Sequence, residues 1–302
     1  MPFSNQLHVN RPLSNVSVKY RNNEFIAMDV LPPVEVKKTS DSYFVFANDF
    51  RIPATIRANK GLAAEHFWEM STATYVLEKH ALKEYISNDD KENYDAGSLE
   101  VDTVEELTDK ILMRHELSVA ALFTTTSFSL NVSLAATGAW NSNSTVSDPV
   151  PVFQTGATEV IGNAGLRPNF VIIPRDGYVA FQNHISVLDR VKYTNIGVTE
   201  SIIKGLLEVE TVFQPIAMYD SSARGATTTM VSIWNNDIAL IGYKENRPRP
   251  KSPCVGYTFR RGANSVKKWR VEERDSDAIE VGIDYVPKIV ASLAAFLIKD
   301  TV

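Results

Sequence analysis

This sequence predicts an α+β fold, on three observations. Residues 165–193, GLRPNFVIIPRDGYVAFQNHISVLDRVKY, pass from a Gly165/Pro168/Asn169 turn signal into an apolar burst at 170–173. Beyond Pro174 and a candidate N-cap at Asp176, the same stretch turns amphipathic with helical spacing. Val104, Leu107 and Ile111 mark one face of a long helix over about 102–124. Ile279, Val281, Ile283 and Tyr285 alternate with Glu280, Gly282 and Asp284, the pattern of a half-buried strand. A buried strand feeding a helix, with sheet elsewhere, is the layer arrangement of an α+β domain.

Residues 1–35 are polar and Asn-rich, with isolated apolar anchors at Leu13, Phe25, Ile26, Val30 and Leu31, and Pro12, Pro32 and Pro33 keep helices short. They read as an arm lying on another surface, or as a frayed terminus. From 36 to 86 the pattern is strand-like. Residues 43–46 are apolar on both faces, and 71–80 alternate with Ala73, Tyr75 and Leu77 on one side. Between them Arg51, Arg57, Lys60 and Glu65 stand beside Ile52, Ile56, Phe67 and Trp68. Two strands alone are marginal in water. A hairpin carrying Phe46, Phe50, Phe67 and Trp68 therefore needs a covering surface, from this chain or from a second copy.

The long helix has capping-box spacing at Asp102 and Glu105 and an i,i+4 pair at Glu106 and Lys110. Residues 127–147 read as loop or irregular strands. Asp148 then caps a helix with Pro149 at its first position and a stop at Gly162/Asn163. Thr199 caps another whose apolar side is Ile202, Ile203, Leu206 and Leu207. Strands are expected at 208–218, 229–234 and 238–243, and a proline-threaded connector at 248–253. Strands at 255–259 and 269–273 are expected to be joined by a turn at 262–264, and the apolar tail from 287 to 302 fits helix or strand.

Composition narrows the function. The chain has 302 residues, 44% hydrophobic and 22% charged, as a folded globular protein does. A net charge of −5 argues against a dedicated nucleic-acid binder. The single Cys254 forms no internal disulfide. The first twenty residues hold no signal-like apolar block, and the longest apolar run, near 289–298, is about half of the ~20 residues a membrane span needs. Synthesis in the cytoplasm is expected.

No Gly-rich phosphate loop, GxSxG or HExxH is present, and His8, His66, His80, His115 and His184 lack metal-ligand spacing. No catalytic, metal or cofactor site is expected. Charge is more informative. Arg247, Arg249, Lys251, Arg260, Arg261, Lys267, Lys268 and Arg270 crowd 247–270 without an acid, while 84–109 holds ten acids against Lys91. Opposite blocks on one chain fit a head-to-tail contact between copies, which closes into rings. Phosphate contact by the basic block, or two solvated faces, are the other readings.

The order of elements resembles the major capsid protein of tailed bacteriophages. The likeness is carried by GLRPNFVIIPRDGYVAFQNHISVLDRVKY at 165–193, TESIIKGLLEVETVF at 199–213, WNNDIALIGY at 234–243, SPCVGYTF at 252–259 and the terminal EVGIDYVPKIVASLAAFLI. LSNVSVKYRNNEFIAMDVLPPVEVKKTSDSYFVF resembles the arm and excursion of the same proteins. The resemblance covers nearly the whole chain, and the order of the motifs carries more than any one of them.

That resemblance implies an N-terminal arm (1–35), an extended β-hairpin loop (36–86), and a peripheral domain with a spine helix (87–164). It further implies an axial α/β domain (165–250) and closing strands of the peripheral domain (251–302). The implied role is a structural subunit of an icosahedral head, self-assembling as pentamers and hexamers around double-stranded DNA bound without sequence preference. Implied partners are many copies of the chain, a separate scaffolding protein and a decoration protein, with no membrane, and the implied location is the virion. Phe25, Tyr43, Phe46, Arg51, Arg57, Phe67, Trp68, Arg249, Arg260, Arg261, Lys267 and Lys268 are the expected inter-subunit contacts. Lys37, Lys38 and Lys60 lie where some relatives cross-link, but no matching motif accompanies them and no bond is expected. The alternatives are the shell protein of a bacterial nanocompartment of the same fold and a cytoplasmic α+β enzyme without a recognisable motif.

Overall fold

Two sheets and the long helix that touches both organise the chain. The computed structural model describes residues 13, 24–45, 52, 55–57, 59, 61–65, 71–95, 97–125, 128–134, 137–142, 144–192, 197–223, 225–245, 247 and 254–302. Of the expected contact residues, Phe46, Arg51, Phe67, Trp68 and Arg249 lie outside them.

A single turn, α1 (Ala27–Val30), leads into β1 (Pro33–Glu35), β2 (Ser40–Val45), β3 (Ser71–Val76) and β4 (Glu78–Ser87). Ser87 then caps α2 (Asn88–Glu92) through a capping box, its hydroxyl accepting the Asp90 N–H at 3.0 Å while the Asp90 carboxylate accepts the Ser87 N–H. The long helix α3 (Leu99–Thr125) begins a turn before the expected Asp102 cap, with Ser98 O accepting the N–H groups of Val101 and Asp102. Asp102 is left to accept the Tyr94 hydroxyl.

After β5 (Asn131–Ser133), α4 (Pro149–Ala164) starts as the sequence predicts, with Asp148 Oδ1 accepting the Val150 N–H at 3.1 Å. It runs past Gly162/Asn163 and ends at Gly165, whose φ of 69° suits a left-handed cap. Strand β6 (Phe170–Ile172) is buried throughout, and α5 (Arg175–Asn183) follows from Pro174, which leaves Asp176 inside the first turn. Helices α6 (Ile185–Val191) and α7 (Glu200–Leu207) lead to β7 (Thr211–Phe213), β8 (Met218–Asp220), β9 (Met230–Ser232) and β10 (Ile238–Gly242). The chain closes with β11 (Gly256–Val271), β12 (Ser276–Ile289) and β13 (Ala295–Lys299). The two strands expected around a turn at 262–264 are therefore one, and Gly262, at φ 68°, sits in a register irregularity between Arg261 and Ser265.

The first sheet has the order β1-β11-β12-β4, and the first half of α3 covers one face of it. Val104, Leu107 and Ile111 pack there with Ile279, Val281, Ile283 and Tyr285, and Leu13 of the arm joins the same cluster. The second sheet has the order β5-β13-β10-β6-β7, and its core takes in Val119, Ala120 and Phe123 from the second half of α3. At 27 residues, about 40 Å long, α3 thus belongs to both cores.

Three elements pair or pack with partners that the sequence does not reveal. Residues 78–86, expected in the excursion, are the edge strand β4, paired with β12 from Tyr285↔Glu78 to Ser276↔Ser87. Helix α4, assigned to the peripheral domain, packs on β10 and β13 of the second sheet. Its Gly156 permits the close approach, since a Cβ there would lie 2.7 Å from the Phe296 ring. Strand β13, assigned to the closing strands, is paired on both sides inside the second sheet, because an apolar run buried on both faces needs neighbours on both edges.

Candidate assembly surfaces

The excursion is anchored at its root, and the aliphatic side chains described between its two strands are exposed. β2 and β3 pair antiparallel from Ser40↔Val76 to Val45↔Ser71. Phe259 of β11 clasps their base, stacked on Tyr75 at a centroid distance of 4.7 Å and tilted against Tyr43 at 5.2 Å. Arg261 reinforces the base, donating to Thr39 Oγ1 at 2.8 Å and to Asp284 Oδ2 at 2.5 Å. Farther out, Ile52, Ile56 and Leu62 are 92%, 97% and 97% exposed. Each such side chain forgoes roughly 1.5–3 kcal/mol that burial supplies. Arg57 stands exposed among them, donating to Gly61 O.

Of the other expected contact residues, Tyr43 belongs to this clasp and Phe25 packs half-buried on the main core. The two charge blocks meet inside one chain. Lys268 lies 2.6 Å from Glu100 and 3.4 Å from Asp277, and Lys91 reaches the same two carboxylates at 3.0 and 2.5 Å. Lys267 pairs with Glu280 at 3.2 Å, and Arg270 donates to Asn88 Oδ1 at 3.0 Å and pairs with Asp275. Hydrogen bonding to Lys91 holds the Asp277 carboxyl below its ordinary range. Arg260 turns back on its own loop, donating to Gly262 O at 3.1 Å and Asn264 Oδ1 at 2.5 Å. Arg260, Arg261, Lys267 and Lys268 thus have partners within the subunit. The basic block is therefore at least partly neutralised by carboxylates of its own chain. Asp89, Glu92, Asp95 and Glu106 of the acidic block remain on the surface.

Two further groups of exposed apolar side chains were missed in the sequence. Ile185 and Leu188, one turn apart on α6, are about half exposed, as are Ile216, Met218 and Met230 around the β8–β9 pair. The α6 residues carry a helical apolar spacing that reads as core when the packing partner is unknown.

One arrangement has the composition of a hydrolase triad: Ser147 Oγ lies 2.9 Å from His184 Nε2, with Asp148 adjacent in sequence. Its hydrogen bonds run the wrong way for a base. His184 Nδ1 accepts the Ser186 N–H at 3.2 Å as the cap of α6, which puts the ring proton on Nε2. That proton is donated to Ser147 Oγ, and the Ser147 hydroxyl is donated to Ser144 O at 2.8 Å. Asp148 is engaged by Arg190 at 2.7 Å. Among the described residues no group of three or more His, Cys, Asp or Glu side chains is placed to hold a metal ion. No helix of the described residues is long and apolar enough to cross a membrane.

No family model matches this chain. It is 28% identical over 295 residues to the Major capsid protein of Burkholderia phage BcepMu, covering 95% of this chain and 94% of that protein. It is 23% identical over 301 residues to the Major capsid protein of Pseudomonas phage JBD67, covering 96% of each. Among solved structures, a phage-related protein from Bordetella bronchiseptica superposes with a TM-score of 0.78 at 22% identity over 98% of each chain. The capsid of an empty GTA particle gives 0.60 at 12% identity, covering 94% of this chain and 92% of that one. An encapsulin from Synechococcus elongatus gives 0.52 at 11% identity, covering 94% and 90%.

Proposed function

We infer that this chain is the structural subunit of a phage head, with the fold of the phage capsid proteins and homologues in two phages that bear the name Major capsid protein. The likeness to the major capsid protein of tailed bacteriophages drawn from its motifs is borne out, and the virion is its location. The observation that carries the role is physical. Ile52, Ile56 and Leu62 stand bare on a projection whose root is fixed to the body, so neighbouring copies are needed to cover them. The nanocompartment reading draws on the same fold, but its encapsulin neighbour is structurally more distant than the Bordetella and GTA proteins.

The finer assignments are proposals. The arm comprises 1–31, the excursion 36–77, the peripheral domain α3 with the first sheet, and the axial domain the second sheet with α4 to α7. The excursion makes the inter-subunit contacts through Arg57, Ile52, Ile56 and Leu62, joined by Phe46, Arg51, Phe67 and Trp68, and Arg249 adds a contact from the connector. Pentamers and hexamers enclose double-stranded DNA without sequence preference, which suits a wall of net charge −5 that does not grip phosphate. A separate scaffolding protein and a decoration protein complete the partner set. Negative-stain electron microscopy of the full chain, alone and with a co-expressed scaffold, tests the reading. Closed shells, rings or tubes are expected, and a stable monomer under every condition contradicts it.

A further inference from the structure

Glu116 is fully buried near the middle of α3, where the helix passes from one core to the other. Its Oε2 accepts the Ala27 N–H at 2.8 Å, and its Oε1 accepts the Ile26 N–H at 3.2 Å and the Trp234 indole N–H at 2.5 Å. These three partners are all donors, and they come from two places far apart in the chain. Two belong to the start of α1, the root of the arm, and the third to the corner between β9 and β10.

We propose that Glu116 is a latch that makes the arm root and the Trp234 corner a single cooperative unit, so that neither is displaced without unpairing the other. The chemistry explains why a carboxylate stands there. Burying one is costly unless hydrogen bonds replace water, and two acceptor oxygens meet three N–H groups with no donor of their own to place. Glutamine offers one acceptor oxygen and turns its NH₂ toward an N–H. The two backbone donors at the start of a helix have no partner within it, and the indole of Trp234, 1% exposed, has no water to turn to. At the other end of α1, Lys244 Nζ donates to Asp29 O at 2.9 Å. The arm root is thus gripped at both ends, and the grip at its start is shared with Trp234. This inference concerns the single subunit and does not rest on assembly.

Amide hydrogen exchange on the full chain tests it, comparing the parent with Trp234→Phe and Glu116→Gln. Trp234→Phe keeps an aromatic ring against Phe123, 5.7 Å away in the parent, and removes the indole donor together with part of the ring volume. It is expected to raise exchange at 26–31 by about tenfold, the scale of one weakened charge-assisted hydrogen bond, while β11 and β12 keep the parent's protection. Glu116→Gln is expected to open both 26–31 and 230–236. Trp234→Phe opening only 230–236, Glu116→Gln opening only one of the two segments, or neither segment changing, overturns the latch. Should Glu116→Gln fail to fold, Trp234→Phe alone decides, through its effect on amides it does not touch.

Discussion

Lys268 and Glu100, 168 residues apart in sequence, lie 2.6 Å from each other across the joint between the first sheet and the start of α3. The contact gives the basic block a use inside the subunit. Both side chains are between a quarter and a third exposed, so solvent screens the pair. Lys268→Ala is expected to cost about 1 kcal/mol or less in urea unfolding. The loss should shrink as salt rises.

The clasp at the root of the excursion is worth more. Phe259 is 6% exposed and packs against both Tyr43 and Tyr75. Phe259→Ala is expected to lower stability by about 3–5 kcal/mol. Limited proteolysis should then cut between 45 and 71 faster than in the parent, since β2 and β3 lose the surface they lean on.

Two glycines of α4 should respond in opposite ways to the same change. A Cβ on Gly156 would meet Phe296 at 2.7 Å and Ile241 at 3.1 Å, whereas one on Gly162 would meet nothing within 4 Å. Gly162→Ala is expected to stabilise by up to about 1 kcal/mol through helix propensity. Gly156→Ala is expected to destabilise by about 1–3 kcal/mol, because the ring and the strand behind it must move. Thermal melts of the two variants give the sign directly.

His115, buried beneath β12, has its pKa pushed down from 6.5 to about 3, first by loss of solvent and then by the neighbouring His80 and Arg260. Its Nε2 lies 3.1 Å from Thr258 Oγ1, and its ring meets Tyr285 edge-on at 4.8 Å. A histidine depressed in the folded state contributes stability above its unfolded value, and that stability is lost as pH falls. The parent should therefore lose stability between about pH 6.5 and 3 by a few kcal/mol more than His115→Asn does. Because carboxylates also titrate in the lower part of this window, the difference between the two proteins is the quantity to measure. Imidazole resonances should show one ring that does not titrate above pH 4.

Local chemistry was readable in the sequence where it is local in the structure. The Asp148–Pro149 start of α4, the buried strand at 170–172 and the alternation through Ile279 to Tyr285 all depend on neighbours a few residues away. What escaped depends on distant partners. Nothing in residues 78–86 says that they pair with 277–285 rather than with the excursion, and nothing in the tail says that β13 lies between β5 and β10. Gly262 signals a turn in either case, and only the continued pairing with β12 makes it an irregularity within one strand. The intra-chain pairing of the charge blocks was hidden for the same reason: a run of lysines and arginines does not reveal which carboxylates fold against it. At the excursion, Ile52 and Ile56 were seen only as companions of the charged and aromatic residues, yet they are among the most exposed aliphatic side chains of the described residues.

The most direct measurement replaces Ile52, Ile56 and Leu62 together by serine and follows both subunit stability and particle formation. Side chains more than nine-tenths exposed should leave the subunit's unfolding midpoint where it was, so sedimentation should give folded, unassembled subunits where the parent is expected to give shells. Shells formed by the triple variant in the parent's yield would contradict the account.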